Sequence, residues 1–271
     1  MSQLIKPQIK WTPEKIQLLK DEYPSGDKSK LAERLGIKRS TLKDAAKRFK
    51  VKCLLRPNGH PPRGHKAKEL LNDTLESYYW HGFIMADGHI TNKGGILITL
   101  AEKDKEQLEN LKLFLNVDQP IVHKIYSTTY SEATKSVHLA LFDVDTCNKL
   151  REKYNVTNNK TTNPPNLDSL QNQEKFMSFF IGFFDGDGCF GRDYKNKVSM
   201  MKIECHGSWY STLESMGIKL KELFDIGSTL KMTKRGHACF RIYKKSNFIK
   251  LKNFIHDNNI PAMKRKWDGV I

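Results

Sequence analysis

Apolar positions fall into two regimes along the chain. Over residues 11–52 they form short helical stripes. Ile16, Leu18, Leu19 and Tyr23 follow Thr12-Pro13, a capping residue and a first-turn proline. Pro24-Ser25-Gly26 breaks that helix. Asp27 caps a second with Leu31, Ala32 and Leu35 inward, and Gly36-Ile37 turns into a third with Leu42, Ala45, Ala46 and Phe49. From Leu70 helical and alternating patterns interleave. A helix capped by Asp73 or Thr74 runs to Gly88, Lys93-Gly94-Gly95 turns into the β-rich Ile96-Leu97-Ile98-Thr99-Leu100, and Asp104 caps a helix with Leu108, Leu111, Leu113 and Leu115. Strands over 121–126 and 137–142 and a short helix near 146–154 complete a first half, and 158–166 is a Pro/Asn connector. The order then repeats. A helix starts near Asn172, a hairpin turns through Asp193-Tyr194-Lys195-Asn196, and a strand returns over 198–205. A long helix from Ser208 carries Leu213, Leu220, Leu223 and Phe224; strands over 228–233 and 238–244 and a helix over Phe248, Leu251 and Phe254 follow. The predicted fold class is α+β, with two αββαββα halves at 70–165 and 166–271, a helical unit at 1–52 and a linker at 53–69.

Each half opens on the same nonamer. Trp80-His81-Gly82-Phe83-Ile84-Met85-Ala86-Asp87-Gly88 is matched one hundred positions on by Phe180-Ile181-Gly182-Phe183-Phe184-Asp185-Gly186-Asp187-Gly188. Both are apolar all round, as a buried helix is. Gly82 and Ala86, and Gly182 and Gly186, lie four apart, so each helix carries a strip without bulk along which two backbones can approach. Gly88 and Gly188 suit a left-handed helix C′ position. The preceding Asp faces the negative end of the helix dipole, which is unfavourable by about 0.3–1 kcal/mol. Pairing the helices along their small strips adds repulsion between Asp87 and Asp187, and a bound divalent cation with hard oxygen ligands removes both problems. A single Asp-Gly is an ordinary turn pair, but two matched copies are not.

The doubled nonamer resembles the signature of LAGLIDADG homing endonucleases, in the single-chain form with two copies. Both copies keep the glycine at the third place, the acid at the eighth and the closing glycine, while the sixth place holds Met85 in one and Asp185 in the other. The resemblance covers roughly residues 70–266. It implies that Asp87 and Asp187 are the metal ligands, sharing two or more magnesium ions, with manganese or calcium able to substitute for binding. It also implies that the two sheets form a β-saddle in the major groove of double-stranded DNA. The expected protein is a monomer that hydrolyses both strands at a long asymmetric target. Its gene would be intron-encoded or a free-standing mobile element; no splicing-domain sequence flanks the endonuclease, so an intein is not expected.

Charge adds to this picture. The formal net charge is +16, and residues 1–68 hold 18 Lys/Arg against 6 Asp/Glu, the remainder 28 against 24. Nucleic acid is the first candidate partner. No apolar run approaches a membrane span, and none reads as a signal peptide. The run from Leu31 to Ile37 followed by Arg39-Ser40-Thr41-Leu42 resembles a helix-turn-helix. Its third helix would offer Arg39, Ser40, Thr41 and Lys43 to base edges or phosphates, and Lys47 and Arg48 to the backbone. A small basic bundle docked on the rest of the protein is the plainer reading. The Pro/Gly-rich linker carries Arg56 and Arg63, either a tether along the duplex or a solvated connector. Alternation places Met201, Ile203, Leu230, Met232, Phe240 and Ile242 inward, leaving Lys202, Glu204, Thr229, Lys231, Thr233, Arg241 and Tyr243 outward. With Lys124 and Lys195 these outward residues are the candidate DNA contacts of the sheets.

Phosphodiester hydrolysis also profits from a cation near the strained phosphate. The repeat aligns Asn155-Val156-Thr157-Asn158-Asn159-Lys160 with Asn259-Ile260-Pro261-Ala262-Met263-Lys264, and lysines at this part of the repeat in relatives point to Lys160 and Lys264. Lys266 is a rival, and plain contact with phosphate or water is the other reading. Five cysteines without a C-x-x-C pair fit free thiols in an intracellular, reducing compartment, cytoplasm, nucleoid or organelle, and argue against zinc. Two competing functions use the same scaffold: an intron-RNA maturase, and a non-cleaving DNA-binding regulator. Retention of both acids disfavours the regulator, and the DNA-type N-terminal reader disfavours the maturase.

Overall fold

A computed structural model describes residues 11–24, 27–51, 67–128, 131–157 and 159–270. The chain divides into two compact units, Met1–Arg63 and Gly64–Ile271.

The first unit contains α1 (Pro13–Glu22), α2 (Lys28–Arg34) and α3 (Arg39–Arg48). Asp27 Oδ1 caps α2 by accepting from the N–H of Ser29 at 2.7 Å. Between α2 and α3 the N–H of Gly36 donates to Glu33 O and that of Ile37 to Ala32 O, both at 2.9 Å. Gly36 sits at φ +66°, the left-handed residue of a Schellman turn, where a side chain would be strained. Leu19, Leu31, Ala32, Leu35, Leu42, Ala45 and Ala46 form the unit's own core.

In the second unit the order is α4 (Leu75–Asp87), β1 (Gly88–Ile90), β2 (Gly95–Ala101), α5 (Lys105–Leu115), β3 (Val122–Thr128), β4 (Ser131–Phe142) and α6 (Val144–Tyr154). It then repeats as α7 (Gln173–Asp187), β5 (Gly188–Arg192), β6 (Val198–His206), α8 (Tyr210–Phe224), β7 (Ser228–Met232), β8 (His237–Ile242) and α9 (Lys245–Asp257), with a short α10 (Lys264–Trp267) at the end. Both halves are thus αββαββα. Their sheets are antiparallel and ordered β1-β2-β4-β3 and β5-β6-β8-β7. One continuous core runs through both halves, and α4 against α7 is its most extensive helix–helix contact. Among the described residues no helix is long and apolar enough to cross a membrane.

Local chemistry explains most of these boundaries. Thr74 and Asn172 cap α4 and α7 with their side-chain oxygens, accepting from Ser77 N at 3.2 Å and Lys175 N at 3.0 Å. Asn116, Asn155 and Asp225 take the left-handed conformation that ends α5, α6 and α8. Three expectations are corrected. Leu113 is 78% exposed, because Leu108, Leu111 and Leu115 already share one face of α5 and a residue two from a face position points away. Met232 is 50% exposed, because it ends the edge strand β7. Gly88 and Gly188 are extended, at φ −83° and −90°, rather than left-handed. Their lack of a Cβ matters for space instead: one on Gly88 would stand 2.6 Å from Ile84 O, and one on Gly188 2.1 Å from the Phe184 ring.

Candidate functional site

The two nonamers form the C-terminal halves of α4 and α7. Gly82 and Gly182 make their close approach: a Cβ on Gly82 would stand 1.9 Å from Phe179 O, and one on Gly182 1.9 Å from Tyr79 O. Further along, a Cβ on Gly186 would meet the Ala86 methyl at 2.3 Å and stand 3.4 Å from Asp87 Cγ. The pairing therefore brings the last turns together, with one Asp at each tip. Asp87 is half-buried and Asp187 is exposed. Both remain open to solvent, yet the protein crowding around them raises the pKa of each carboxyl. Asp87 is pushed up to about 6, first by this desolvation and then by the facing charge of Asp187.

Two lysines answer the unfavourable helix ends. Lys160 Nζ donates to the α4 carbonyls of Met85 (2.6 Å), Ile84 (3.4 Å) and Ala86. Lys266 Nζ donates to the α7 carbonyls of Phe184 (3.0 Å), Asp185 and Gly186 (3.4 Å), and to Gly188 O (2.7 Å). An ammonium thus sits at the negative end of each helix, supplying charge that the sequence had assigned to a cation alone. Burial pulls Lys160 down to about 8 against the pull of Asp187 and Asp87, and burial likewise lowers Lys266. Both ammoniums favour the ionised form of both acids.

Lys264 is not brought to this centre. It pairs with Glu106 Oε1 at 2.8 Å, its side chain 69% exposed. The repeat alignment itself is sound, since Asn155 and Asn259 are both left-handed at φ 48° and 49°. After it, however, the second half coils into α10, and residues two apart on a helix point to nearly opposite faces. Lys266 therefore takes the place opposite Lys160. Asp104, expected to cap α5, makes no side-chain cap bond and instead receives Arg265 Nε at 2.5 Å. Asp185 is a buried strut, accepting from Tyr79 Oη, Met263 N and Trp267 Nε1. His81 is locked neutral in the core: its Nε2–H donates to Leu70 O at 2.6 Å, Tyr154 Oη donates to its Nδ1 at 2.8 Å, and burial lowers it to about 3. Cys205 Sγ lies 3.9 Å from Asp187 Oδ2, its thiol pushed up to about 12 by burial and so inert.

The other sequence-picked residues are dispersed over surfaces. Arg39, Ser40, Lys43, Lys47 and Arg48 are exposed along α3, with Thr41 half-buried. Arg56 and Arg63 lie outside the described residues. On the second sheet the register sets Cys189, Lys202, Arg241 and Thr229 in one row and Glu204, Cys239 and Lys231 in the next. Lys202 pairs with Glu204 at 3.2 Å, so this face is mixed rather than uniformly basic. Arg241 Nη1 lies 3.5 Å from Tyr243 Oη, and Lys195 is exposed in the β5–β6 turn. Lys124 is exposed on β3, opposite Ser136.

Two adjacent carboxylates suit a hard divalent cation. Among the described residues no group of three or more His, Cys, Asp or Glu could hold a metal. The protein would therefore supply two oxygen ligands and leave the rest of the shell to water and phosphate, the pattern usual for magnesium. A cation there would offset the repulsion between Asp87 and Asp187 that, after desolvation, holds the Asp87 carboxyl up. The same shift predicts a pH effect. A carboxyl raised above its ordinary 3.8 binds more protons folded than unfolded, so the metal-free fold loses stability as pH rises from about 4 to about 6, and the full cost is present above that. Asp87→Asn should stabilise that fold by about 1–2 kcal/mol near pH 7.5, after allowance for solvent screening. The gain should vanish below about pH 4 in thermal melts, where both residues are neutral.

The architecture defines a class: two αββαββα halves joined by closely packed helices, with an acid at each helix tip. Within it, residues 180–266 match the family model of the LAGLIDADG endonuclease. The homing endonuclease I-WcaI, solved bound to its DNA recognition sequence, shares the fold at 16% identity and TM-score 0.54, over 73% of this chain and 89% of its own. The N-terminal LAGLIDADG domain of DUF199/WhiA aligns at 17% identity and TM-score 0.44, over 72% and 85%. I-GzeII, in complex with its DNA target, aligns at 15% and 0.42, over 70% and 86%. No match was found among curated proteins.

Proposed function

We propose that the protein is a magnesium-dependent endonuclease that cuts both strands of DNA at a long asymmetric site, and that both nonamers are LAGLIDADG signatures. One observation carries this reading: two solvent-open carboxylates meet at paired helix tips, each opposed by a half-buried ammonium. Magnesium held by Asp87 and Asp187 would supply Lewis-acid polarisation of the phosphate and a bound water more acidic than bulk water. Lys160 and Lys266 keep the two acids ionised and add positive potential where phosphate charge develops. Their Nζ donors are engaged with carbonyls, so this role is electrostatic. Because the two helix ends differ in their neighbours, the two acids and two lysines form two related but unequal centres, one for each strand. Two unlike halves in one chain fit a monomer on an asymmetric target. The outward rows of the second sheet, with Lys124 on the first, would contact the duplex, largely through phosphates.

The test is incubation with magnesium and a duplex pool carrying a randomised core, followed by sequencing of the ends released. Metal-dependent double-strand ends at one recurrent site support the reading. Binding without any cut would leave a non-cleaving DNA-binding protein.

The N-terminal unit is proposed as an accessory helix-turn-helix reader, with α3 in the major groove. Arg39, Lys43 and Lys47 are exposed on α3 and lie outside the unit's core. Their joint replacement by Ala should leave the fold intact and reduce the slope of log affinity against log salt by up to about 2.7, at about 0.9 for each phosphate no longer neutralised. An unchanged slope would show that α3 neutralises no phosphate.

A further inference from the structure

The two lysines at the centre are held by different devices. Lys266 rides on the segment 261–267, which is fastened to one buried carboxylate. Asp185, only 1% exposed, accepts from Met263 N at 2.7 Å, Trp267 Nε1 at 2.8 Å and Tyr79 Oη at 2.8 Å. Gln107 Nε2 donates to Tyr79 Oη at 2.7 Å and to Pro261 O at 2.8 Å, tying α5 to the same segment. Arg265 forks onto Asp104 at 2.5 and 3.1 Å, a second brace from the first half. A buried carboxylate is costly unless its partners are held in place, and packing alone does not call for one here. Met85 fills the corresponding place in the first nonamer, fully buried.

Lys160 has no such anchor. Its loop hangs from an indole of the opposite half: Trp209 Nε1 donates to Lys160 O at 3.1 Å and to Thr161 O at 3.2 Å. Ser208 Oγ adds a bond to Thr161 O at 3.0 Å, and the Trp209 ring stacks on Phe183 at 5.2 Å. Each lysine is therefore braced by the turn that precedes the second long helix of the other half, through Asp104 in one case and Trp209 in the other.

We propose that Asp185 and Trp209 are strand-specific positioning residues. Asp185 sets Lys266 and with it the hydrolysis of one strand; Trp209 sets Lys160 and the hydrolysis of the other. The inference rests on the nuclease reading above. Asp185→Asn keeps the shape but turns an amide N–H₂ toward donors, releasing at least one bond of the 261–267 segment. Trp209→Phe keeps an aromatic ring beside Phe183 while removing the N–H donor and part of the indole's bulk.

The test uses the full chain, magnesium and the target recovered from the randomised pool, with the two strands carrying different end labels. Asp185→Asn should slow one strand by roughly 10- to 100-fold, the size expected of a displacement near 1 Å at a reacting centre, and leave the other nearly unchanged. Trp209→Phe should slow the opposite strand. A folding defect slows both strands together, so equal slowing, or slowing of the same strand by both variants, overturns the proposal. A second measurement needs neither DNA nor metal: titration of the lysine ¹³Cε signals. In Asp185→Asn, Lys266 should rise toward the ordinary lysine range as it is released to solvent, whereas loss of the Asp185 charge with the lysine still in place would lower it further. Lys160 should stay lowered in that variant, and in Trp209→Phe it is Lys160 that rises while Lys266 stays lowered. Joint movement of both signals, or of neither, also overturns it. Absence of cleavage by the unaltered protein would sink the nuclease reading instead, and the lysine titrations would still decide whether each residue sets its own lysine.

Discussion

Asparagine at either Asp87 or Asp187 should abolish magnesium-dependent double-strand cleavage, by at least about 10³-fold, and leave DNA affinity within a few-fold of the starting protein. Each substitution is isosteric and removes one charge from a solvent-open tip, so packing between α4 and α7 is untouched. For Asp87 the change relieves the crowding that pushes its carboxyl up to about 6, so the variant should melt higher, not lower, at neutral pH. Loss of activity with gain of stability separates a chemical role from a structural one. Both strands should suffer together, because under the proposed reading either acid would be a ligand to ions shared across the pair. That outcome contrasts with the single-strand effects expected when one lysine is displaced. A time course on the recovered target gives the rate, and a gel shift with calcium in place of magnesium gives the affinity. Continued cutting by both variants would remove these acids from the reaction.

The fold was legible in the sequence wherever local chemistry decides structure. The caps at Thr74 and Asn172 and the alternation of Val137, Leu139 and Leu141 are short-range signals, and the elements lie where they point. The glycine strip was legible too, because its spacing has one geometric use in a buried helix. What could not be read depends on where side chains end after the halves meet. Lys264 and Lys266 are equally basic and two positions apart, and only the helical turn of α10 decides which one reaches α7. Asp104 looked like a helix cap because a cap needs nothing beyond its own turn, whereas its partner Arg265 is 161 residues away. Trp209 carried no signal at all, since an indole that holds a distant carbonyl is indistinguishable in sequence from one that fills a core. The helix-end acids were recognised as misplaced charges, but the remedy was read as a cation alone. Two lysine ammoniums do part of that work, and nothing local to either nonamer announces them.

Alanine at Gly82 or Gly182 should have the largest effect on stability. Most cavities and clashes can be eased by a rotamer change, but here the new methyl would stand 1.9 Å from a backbone carbonyl oxygen of the partner helix. The helices would have to separate by about 1.5 Å to restore a normal contact. That opens an interface lined by Tyr79, Phe83, Phe179 and Phe183, all buried. A loss of at least about 4 kcal/mol is expected, a large share of the 5–15 kcal/mol that typically holds a domain together. Urea denaturation of the variants measures it. Gly186→Ala is the informative comparison, because its methyl would meet the Ala86 methyl, a side chain, at 2.3 Å. Ala86→Gly in the same chain exchanges the two small residues across the pseudo-symmetric interface and should recover most of the loss, a favourable coupling on the order of 1–3 kcal/mol. No single side-chain change can do the same for Gly82, whose obstacle is backbone. Rescue at position 186 with none at position 82 would establish that main-chain approach, rather than general tightness of the core, is what the glycines at the third place of each nonamer provide. Equal rescue at both would mean that the helices can slide or rotate to accommodate bulk, and the fixed meeting of Asp87 with Asp187 would lose its structural basis.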